Sequence, residues 1–391
     1  MGCTIVQIDD NFHHEETNPI PLEPSKTVMI LAEIARKQIE DFAKAQGFHS
    51  VGFAASEEAR TYPQFCEWLD LGYAASMGYL EKRRKAYQNP SGVLAGCRTV
   101  VLLTLPYQGH CGTNSVIKLG RKRRLGPLSN PTFGSYAAAK VDYHVWIRRK
   151  LKPLVRELRT MFPRCMTRAV VDTAPILERH FANQSGLGWI GKNTMLLNRQ
   201  IGSYFFLCAI LTQADIAGNQ VPRAKDHCGT CTACLDACPT GAFASPYVLD
   251  ANRCISYWTI EHRGQIPQAV RPSLGPWIFG CDICQMVCPW NQRINAVIPE
   301  EIKPFEVQEK SDCSHWLSLD QDRFDNLYRD TPFWRTGLLS MQRNALIVAA
   351  NLREPSAFPW IQKFTNHPNQ DLVELAHWAI EEYRSGTNQE K

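Results

Sequence analysis

No stretch of this chain is apolar for long enough to cross a bilayer. The longest such run, YFFLCAIL at 204–211, falls far short of the roughly 20 residues that a spanning helix needs. Nor does the start resemble a secretory leader. The first 25 residues are polar, hold Asp9, Asp10, Glu15 and Glu16, and are interrupted by Pro19, Pro21 and Pro24, so 1–26 reads as a loose tail. No Gly-x-Gly-x-x-Gly follows a strand, which argues against a dinucleotide site. GLGWIGKN at 186–193 lacks the Lys-Ser/Thr ending of a phosphate loop; its glycines suit close backbone approach to something flat or bulky. A strong excess of one charge is also missing, the net charge being +5 over 391 residues. The expectation is a soluble, cytoplasmic protein without membrane contact.

What the chain has in quantity is cysteine: fifteen, where a free-thiol cytoplasmic protein has no use for disulfides. CGTCTACLDACPTGA at 228–242 follows the spacing Cys-x2-Cys-x2-Cys-x3-Cys-Pro of bacterial ferredoxins, in which the fourth cysteine serves another cluster. FGCDICQMVCPW at 279–290 repeats the last three cysteines of that run, with Ile278 at the place of the first; Cys254, in NRCISYW, is the substitute. By the crossover rule Cys228, Cys231, Cys234 and Cys288 hold one 4Fe–4S cluster, and Cys238, Cys254, Cys281 and Cys284 hold a second. Paired Cys-x2-Cys motifs also build zinc ribbons, but the doubled Cys-Pro ending favours iron–sulfur. The other seven (Cys3, Cys66, Cys97, Cys111, Cys165, Cys208 and Cys313) are scattered and read as small buried hydrophobes.

Helical periodicity over 27–48 ends at Gly47; 51–54, 98–107 and 202–212 read as strands, and 168–175 as a strand running into a loop or helix start, the apolar runs being buried ones. Residues 108–134 read as a long loop, 141–162 as a helix with Pro153 a weak point, and 293–330 as irregular and polar. The segment 343–383 carries two amphipathic helices about a Pro-containing turn, like one HEAT-type repeat. The fold class is α+β: an α/β domain over 27–223, a ferredoxin-like module over 224–292, and a linker with helical segment over 293–391.

Two clusters move single electrons, and a carrier would not need the 200-odd residues that precede them, so a second redox centre or a substrate is expected there. Asp172, just past an apolar strand in VVDTAPILER, is the most informative carboxylate. Half-desolvated, it could have the raised pKa of a proton donor; on spacing alone it reads better as an N-cap of the helix that follows. Glu178 and Arg179 read as a pair on that helix. DYHVWI at 142–147 has Ile147 where a cobalt-binding histidine motif has glycine, so His144 reads as a solvated helix histidine. Basic runs at 81–85, 121–124 and 148–152 suit nucleic acid or a plain solvated face.

VDTAPILER, GLGWIGKNTMLL, CGTCTACLDACPTGA, RCISYWTIEHRG, GCDICQMVCPWN and RNALIVAANL occur here in that order, and together they resemble the epoxyqueuosine reductases over roughly residues 28 to 383. The resemblance implies a cobalamin-binding α/β domain over 27–223, two 4Fe–4S clusters, and a C-terminal HEAT-like segment that helps hold tRNA. The substrate it implies is epoxyqueuosine at the wobble position of tRNA with a GUN anticodon (Tyr, His, Asn, Asp). Two electrons, from an external low-potential donor of flavodoxin or ferredoxin type, and two protons convert it to queuosine and water. Asp172 then becomes the proton donor and a cofactor contact. Ser135, Asp142, Leu196, Leu207, Ser256 and the segment Cys281, Asp282, Ile283, Cys284 line the cobalamin, and Arg263 lies near the tRNA. Two places depart from the family pattern: Tyr87 stands where an arginine is usual, and AAAKV at 137–141 replaces a Trp-Gly-like pair. The competing readings are a small-molecule reductase akin to reductive dehalogenases, a two-cluster electron carrier and a zinc-bearing RNA-binding protein. A monomer is expected.

Overall fold

The computed structural model describes residues 26–107, 109, 116–119, 122–126, 128–139, 141–218, 224–292, 297–303 and 312–387. The tail up to residue 25, Cys3, Cys111 and Arg121 lie outside the described residues. Lys26 already opens the first helix, α1 (Lys26–Ala45), and Gly47, at φ +90°, takes the left-handed turn that frees the chain to reverse.

Four strands form the central sheet: β1 (Ser50–Ala55), β2 (Thr99–Pro106), β3 (Thr167–Val170) and β4 (Phe205–Thr212). Their order is β1–β2–β4–β3, antiparallel at every joint. All eight residues of β2 are buried because both faces of the sheet are covered. On one side Val101, Leu103 and Leu105 meet Ile39 and Ala43 of α1 and Ile147 and Leu151 of α2 (Tyr143–Met161). On the other, Val100 and Leu102 meet Ile176 and Phe181, the latter on α3 (Glu178–Gln184). A strand buried on two faces loses the alternation of a half-exposed one, hence the continuous run TVVLLTLP. Pro153 sits inside α2 without ending it.

Three expectations are corrected. Residues 108–134 are not all loop: Val116–Leu119 pairs antiparallel with Lys122–Leu125, and Thr132–Phe133 pairs parallel with Trp277–Phe279, strands too short to show a period. The stretch 293–330 is not irregular throughout, for it holds α4 (Cys313–Leu317) and α5 (Gln321–Tyr328). Their aromatic residues Trp316, Phe324 and Tyr328 are fully buried. The C-terminal part has three helices after residue 337: α6 (Leu338–Leu352), α7 (Phe358–Phe364) and α8 (Gln370–Thr387).

Helix α6 is not amphipathic. It is buried almost all round, Arg343 and Asn344 included, and its polar residues serve the cysteine-bearing module. Arg343 donates to the carbonyls of Trp258, His262 and Gly264, and Asn344 Nδ2 donates to those of Thr259 and Ile278, each at 2.8 Å. The carbonyls of Trp258 and Thr259 belong to a π-helical turn, Tyr257–Glu261, those of His262 and Gly264 follow it directly, and that of Ile278 lies on the strand Trp277–Phe279. One hydrophobic core, from Ile255 and Trp277 to Trp316, Leu346 and Trp378, joins the module to the C-terminal helices.

Candidate functional site

A cavity of about 550 Å³ opens between the sheet domain and the cysteine loops. Tyr107, Tyr136, Tyr143, Phe205 and Phe206 give it an aromatic lining, Asp172, Glu178 and Glu261 bring carboxyls, and Cys238, Cys254, Cys281 and Cys284 line it as well.

The thiols fall into two groups. Burial pushes Cys234 up to about 12, and nearby Cys288, Cys228 and Cys231 add to it. Burial likewise pushes Cys288 up to about 11, again beside Cys228 and Cys231. In the second group burial drives Cys281 and Cys284 well up, each next to Cys254, with Cys238 also near Cys284; Cys254 in turn is raised by burial and by Cys238. The groups approach each other where Cys284 senses Cys234. Crowded buried thiols are hard to ionise alone, but a bound metal deprotonates them outright. The donor set is all sulfur, as soft iron prefers, and the Ala242 amide donates to Cys238 Sγ at 3.3 Å, a contact that tunes iron–sulfur centres. Among the described residues no three His, Cys, Asp or Glu side chains gather around one ion; a cubane lies between four spread thiolates. The residues fit two clusters.

Asp172 is reached by a chain of polar contacts. Its backbone is left-handed, φ +56°, a conformation uncommon outside glycine. Tyr143 Oη donates to Asp172 Oδ2 at 2.6 Å, and His144 Nε2 lies 3.0 Å from the same oxygen. His144 Nδ1 is 2.7 Å from Asp142 Oδ1, and Arg335 Nε donates to Asp142 Oδ2 at 3.0 Å. An imidazole between two carboxylates satisfies both only with both nitrogens protonated. Accordingly, burial would lower the pKa of His144, but the hydrogen bonds to Asp142 and Asp172 outweigh it and raise it. Burial also opposes the charge on Asp142, yet the His144 ring and amide, with Arg335, hold it down at about 2.

The structure corrects three readings here. His144 is not solvated but 4% exposed. Asp172 caps no helix: α3 begins at Glu178 after Leu177, without a side-chain cap. Nor is its pKa raised. Loss of water to the surrounding protein pushes that way, although its side chain remains 57% exposed, but hydrogen bonds from His144 and Tyr143, with Arg179 near, hold it below the usual carboxylate range.

Of the other expected cofactor contacts, Leu196, Leu207, Ser256, Cys281, Asp282, Ile283 and Cys284 line the cavity. Ser135 and Asp142 do not. Ser135 reaches the wall through its amide, which donates to Asp282 Oδ2 at 2.8 Å, and its buried hydroxyl has no hydrogen-bond partner. Asp142 acts through His144, being the N-cap of α2. Arg263 is exposed and bound to backbone, donating to the carbonyls of Ile260 and Arg335. Sequence reasoning missed Tyr143, His144, Arg335, Glu178 and Glu261. The adjacency of Asp142, Tyr143 and His144 was a usable signal; nothing in the sequence tied Arg335 to them.

Comparison with known proteins agrees with this layout. A family model described as a 4Fe-4S double cluster binding domain matches residues 227–291, which decides between iron–sulfur and zinc. Another, described as epoxyqueuosine reductase QueG, DUF1730, matches 88–173. The epoxyqueuosine reductase of Pseudomonas aeruginosa is 33% identical over 93% of this chain and 98% of its own length. The chain belongs to the epoxyqueuosine reductases. The Escherichia coli enzyme is also 33% identical, over 90% of this chain and 89% of its own. Among solved structures, an epoxyqueuosine reductase with an epoxyqueuosine-modified tRNA-Tyr stem loop matches with TM-score 0.80 at 28% identity, over 90% of this chain and 91% of that one. The Bacillus subtilis enzyme, with its catalytic aspartate loop swung out of the active site, matches with TM-score 0.79 at 27% identity, over the same shares of the two chains. The family is one of enzymes that act on tRNA. No helix among the described residues is long and apolar enough to cross a membrane.

Proposed function

We propose that this cavity is where the chain reduces tRNA-borne epoxyqueuosine to queuosine, with Asp172 delivering the first proton. The observation that carries the reading is that Asp172 lines the same cavity as Cys281 and Cys284: a proton source and an electron source share one space.

The uncharged aromatic lining, the unpartnered hydroxyl of Ser135 behind it and the adjoining thiols fit cobalamin, with Leu196, Leu207, Ser256, Asp282 and Ile283 holding it and Ser135, Asp142 and Asp172 in support. Cobalamin would supply a strongly reducing, nucleophilic metal beside the epoxide. In the resting site the first proton is stored on His144 and delivered at Asp172, since both share Asp172 Oδ2. Asp142, anchored by Arg335, keeps the imidazole oriented and charged, much as a third residue orients a catalytic histidine elsewhere. Tyr143 fixes the carboxylate that hands the proton on. An alkoxide is a poor leaving group, so this transfer is what permits the carbon–oxygen bond to break.

In this reading, 27–223 forms the cofactor domain, 224–292 the ferredoxin-like module and 293–391 the HEAT-like segment that helps hold tRNA. Arg263 faces the RNA at its junction with Arg335. The substrate tRNA carries a GUN anticodon, the electrons come from a flavodoxin or ferredoxin, and the enzyme works as a cytoplasmic monomer. The test is nucleoside mass spectrometry on epoxyqueuosine-containing tRNA, with anaerobic, iron-loaded protein, cobalamin and reductant. Queuosine should appear only with cobalamin present and not with Asp172→Asn. Unchanged epoxyqueuosine with fully loaded wild-type protein would overturn the reading.

A further inference from the structure

Removing an epoxide oxygen as water takes two protons, and the chain running from Arg335 to Asp172 stores one. We propose that Glu178 is the second acid of this site, holding at neutral pH the proton that completes water as the oxygen departs. The inference rests on the cavity being the place of reduction. Three observations carry it. Glu178 opens α3, six residues beyond Asp172, and lines the same cavity. Its Oε1 is sealed from solvent and has no hydrogen-bond partner. A buried carboxylate left unpaired in this way is costly, whereas a neutral carboxyl is not.

The groups around it agree. Burial is the main influence on Glu178 and pushes its pKa up to about 8; Asp172, on the loop before it, adds to the rise, while its own backbone amide and Arg179 oppose it. Tyr87, on the short helix Arg84–Gln88, also faces it. Around Asp172 stand His144, Tyr143, Tyr79 and Glu261. The two carboxyls are therefore set in opposite states: Asp172 ionised and fed by His144, Glu178 neutral and loaded.

The balance closes. The first carbon–oxygen bond breaks and the oxygen takes a proton at Asp172. The second breaks, the hydroxyl takes the proton of Glu178 and leaves as water, and a carbon–carbon double bond forms. The two electrons come from the reductant that the reductase activity already uses, and solvent restores both protons.

Glu178→Gln keeps the shape and a hydrogen-bond donor but has no proton to give. Difference infrared spectra of protein without cobalamin should show a protonated-carboxyl band at pH 7 that titrates near pH 8, and the band should be missing from Glu178→Gln. With loaded enzyme, single turnovers of Glu178→Gln should be slower by about 100-fold, with tRNA affinity unchanged and the wild-type decline above about pH 8 abolished. Absence of the band in wild type, or a Glu178→Gln enzyme with wild-type rate and pH profile, overturns the proposal. If Asp172→Asn is also fully active, the cavity reading falls and takes this proposal with it; if only Asp172→Asn is impaired, the proposal about Glu178 fails alone.

Discussion

The two sides of the site are built in different ways. The sulfur side comes from short loops in which cysteines a few residues apart face one cluster, with Cys288, Cys238 and Cys254 arriving from elsewhere. The carboxyl side is assembled from distant segments: Asp172 and Glu178 of the sheet domain and Glu261 of the cysteine module line the cavity, while Asp142 and His144, with Arg335 from the C-terminal part, support Asp172 from behind. Its side chains hold one another rather than a metal. The lesson is that electron transfer here depends on local geometry plus iron, whereas proton transfer depends on the whole tertiary structure.

Cys284→Ser attacks the sulfur side and should have the largest effect. Iron content should fall by about half, since one of two clusters loses a ligand, and turnover should stop; iron analysis and an assay on tRNA check both. Next, Asp172→Asn breaks the carboxyl side at the point of delivery, with single-turnover rates expected to fall by about 10²–10⁴-fold while iron content stays at the wild-type level. A loss of iron in that variant would erase the distinction between the two sides.

His144→Gln removes the stored proton and should slow turnover by about 10–100-fold. The sign of its pH dependence is set by its raised pKa. The stabilisation from the charged imidazole is fully present below the ordinary histidine value and disappears as pH rises through the raised one. Wild-type activity and stability should therefore decline together over that window, and His144→Gln should lack this component while keeping the one near pH 8 that Glu178 sets; rate and denaturation profiles against pH measure it.

Asn344→Ala tests the scaffold that the two sides share, by leaving the buried carbonyls of Thr259 and Ile278 without donors. It should cost about 2–3 kcal/mol in denaturant unfolding. The effect of Glu178→Gln on stability is confined to one pH range. A carboxyl raised to about 8 weakens the fold as pH climbs from the unfolded value through the folded one. The variant should thus gain stability over wild type progressively as pH rises towards 8 and nothing below pH 4, as denaturant unfolding at a series of pH values would show.

Which parts were legible in advance follows from the same contrast. The buried strands showed because both faces of the sheet are covered, leaving TVVLLTLP unbroken by polar residues. The cysteine register showed because iron demands it. Helices α4 and α5 were missed because a few large aromatics, Trp316, Phe324 and Tyr328, carry their packing amid polar neighbours. The segment that became α6 read as amphipathic, yet its Arg343 and Asn344 are buried and satisfy carbonyls of another segment. His144 was misread for a related reason: nothing in DYHVWI says that its ring will lie between two carboxylates.

The sequence by itself determined the two-cluster module, the sheet strands and Asp172 as the residue to watch, because spacing and apolar continuity are local properties. Only the tertiary structure decided the protonation states of the cavity. Whether a carboxyl is ionised depends on which donors reach it and how much water it loses, and for Asp172 and Glu178, six residues apart, folding settled those in opposite directions.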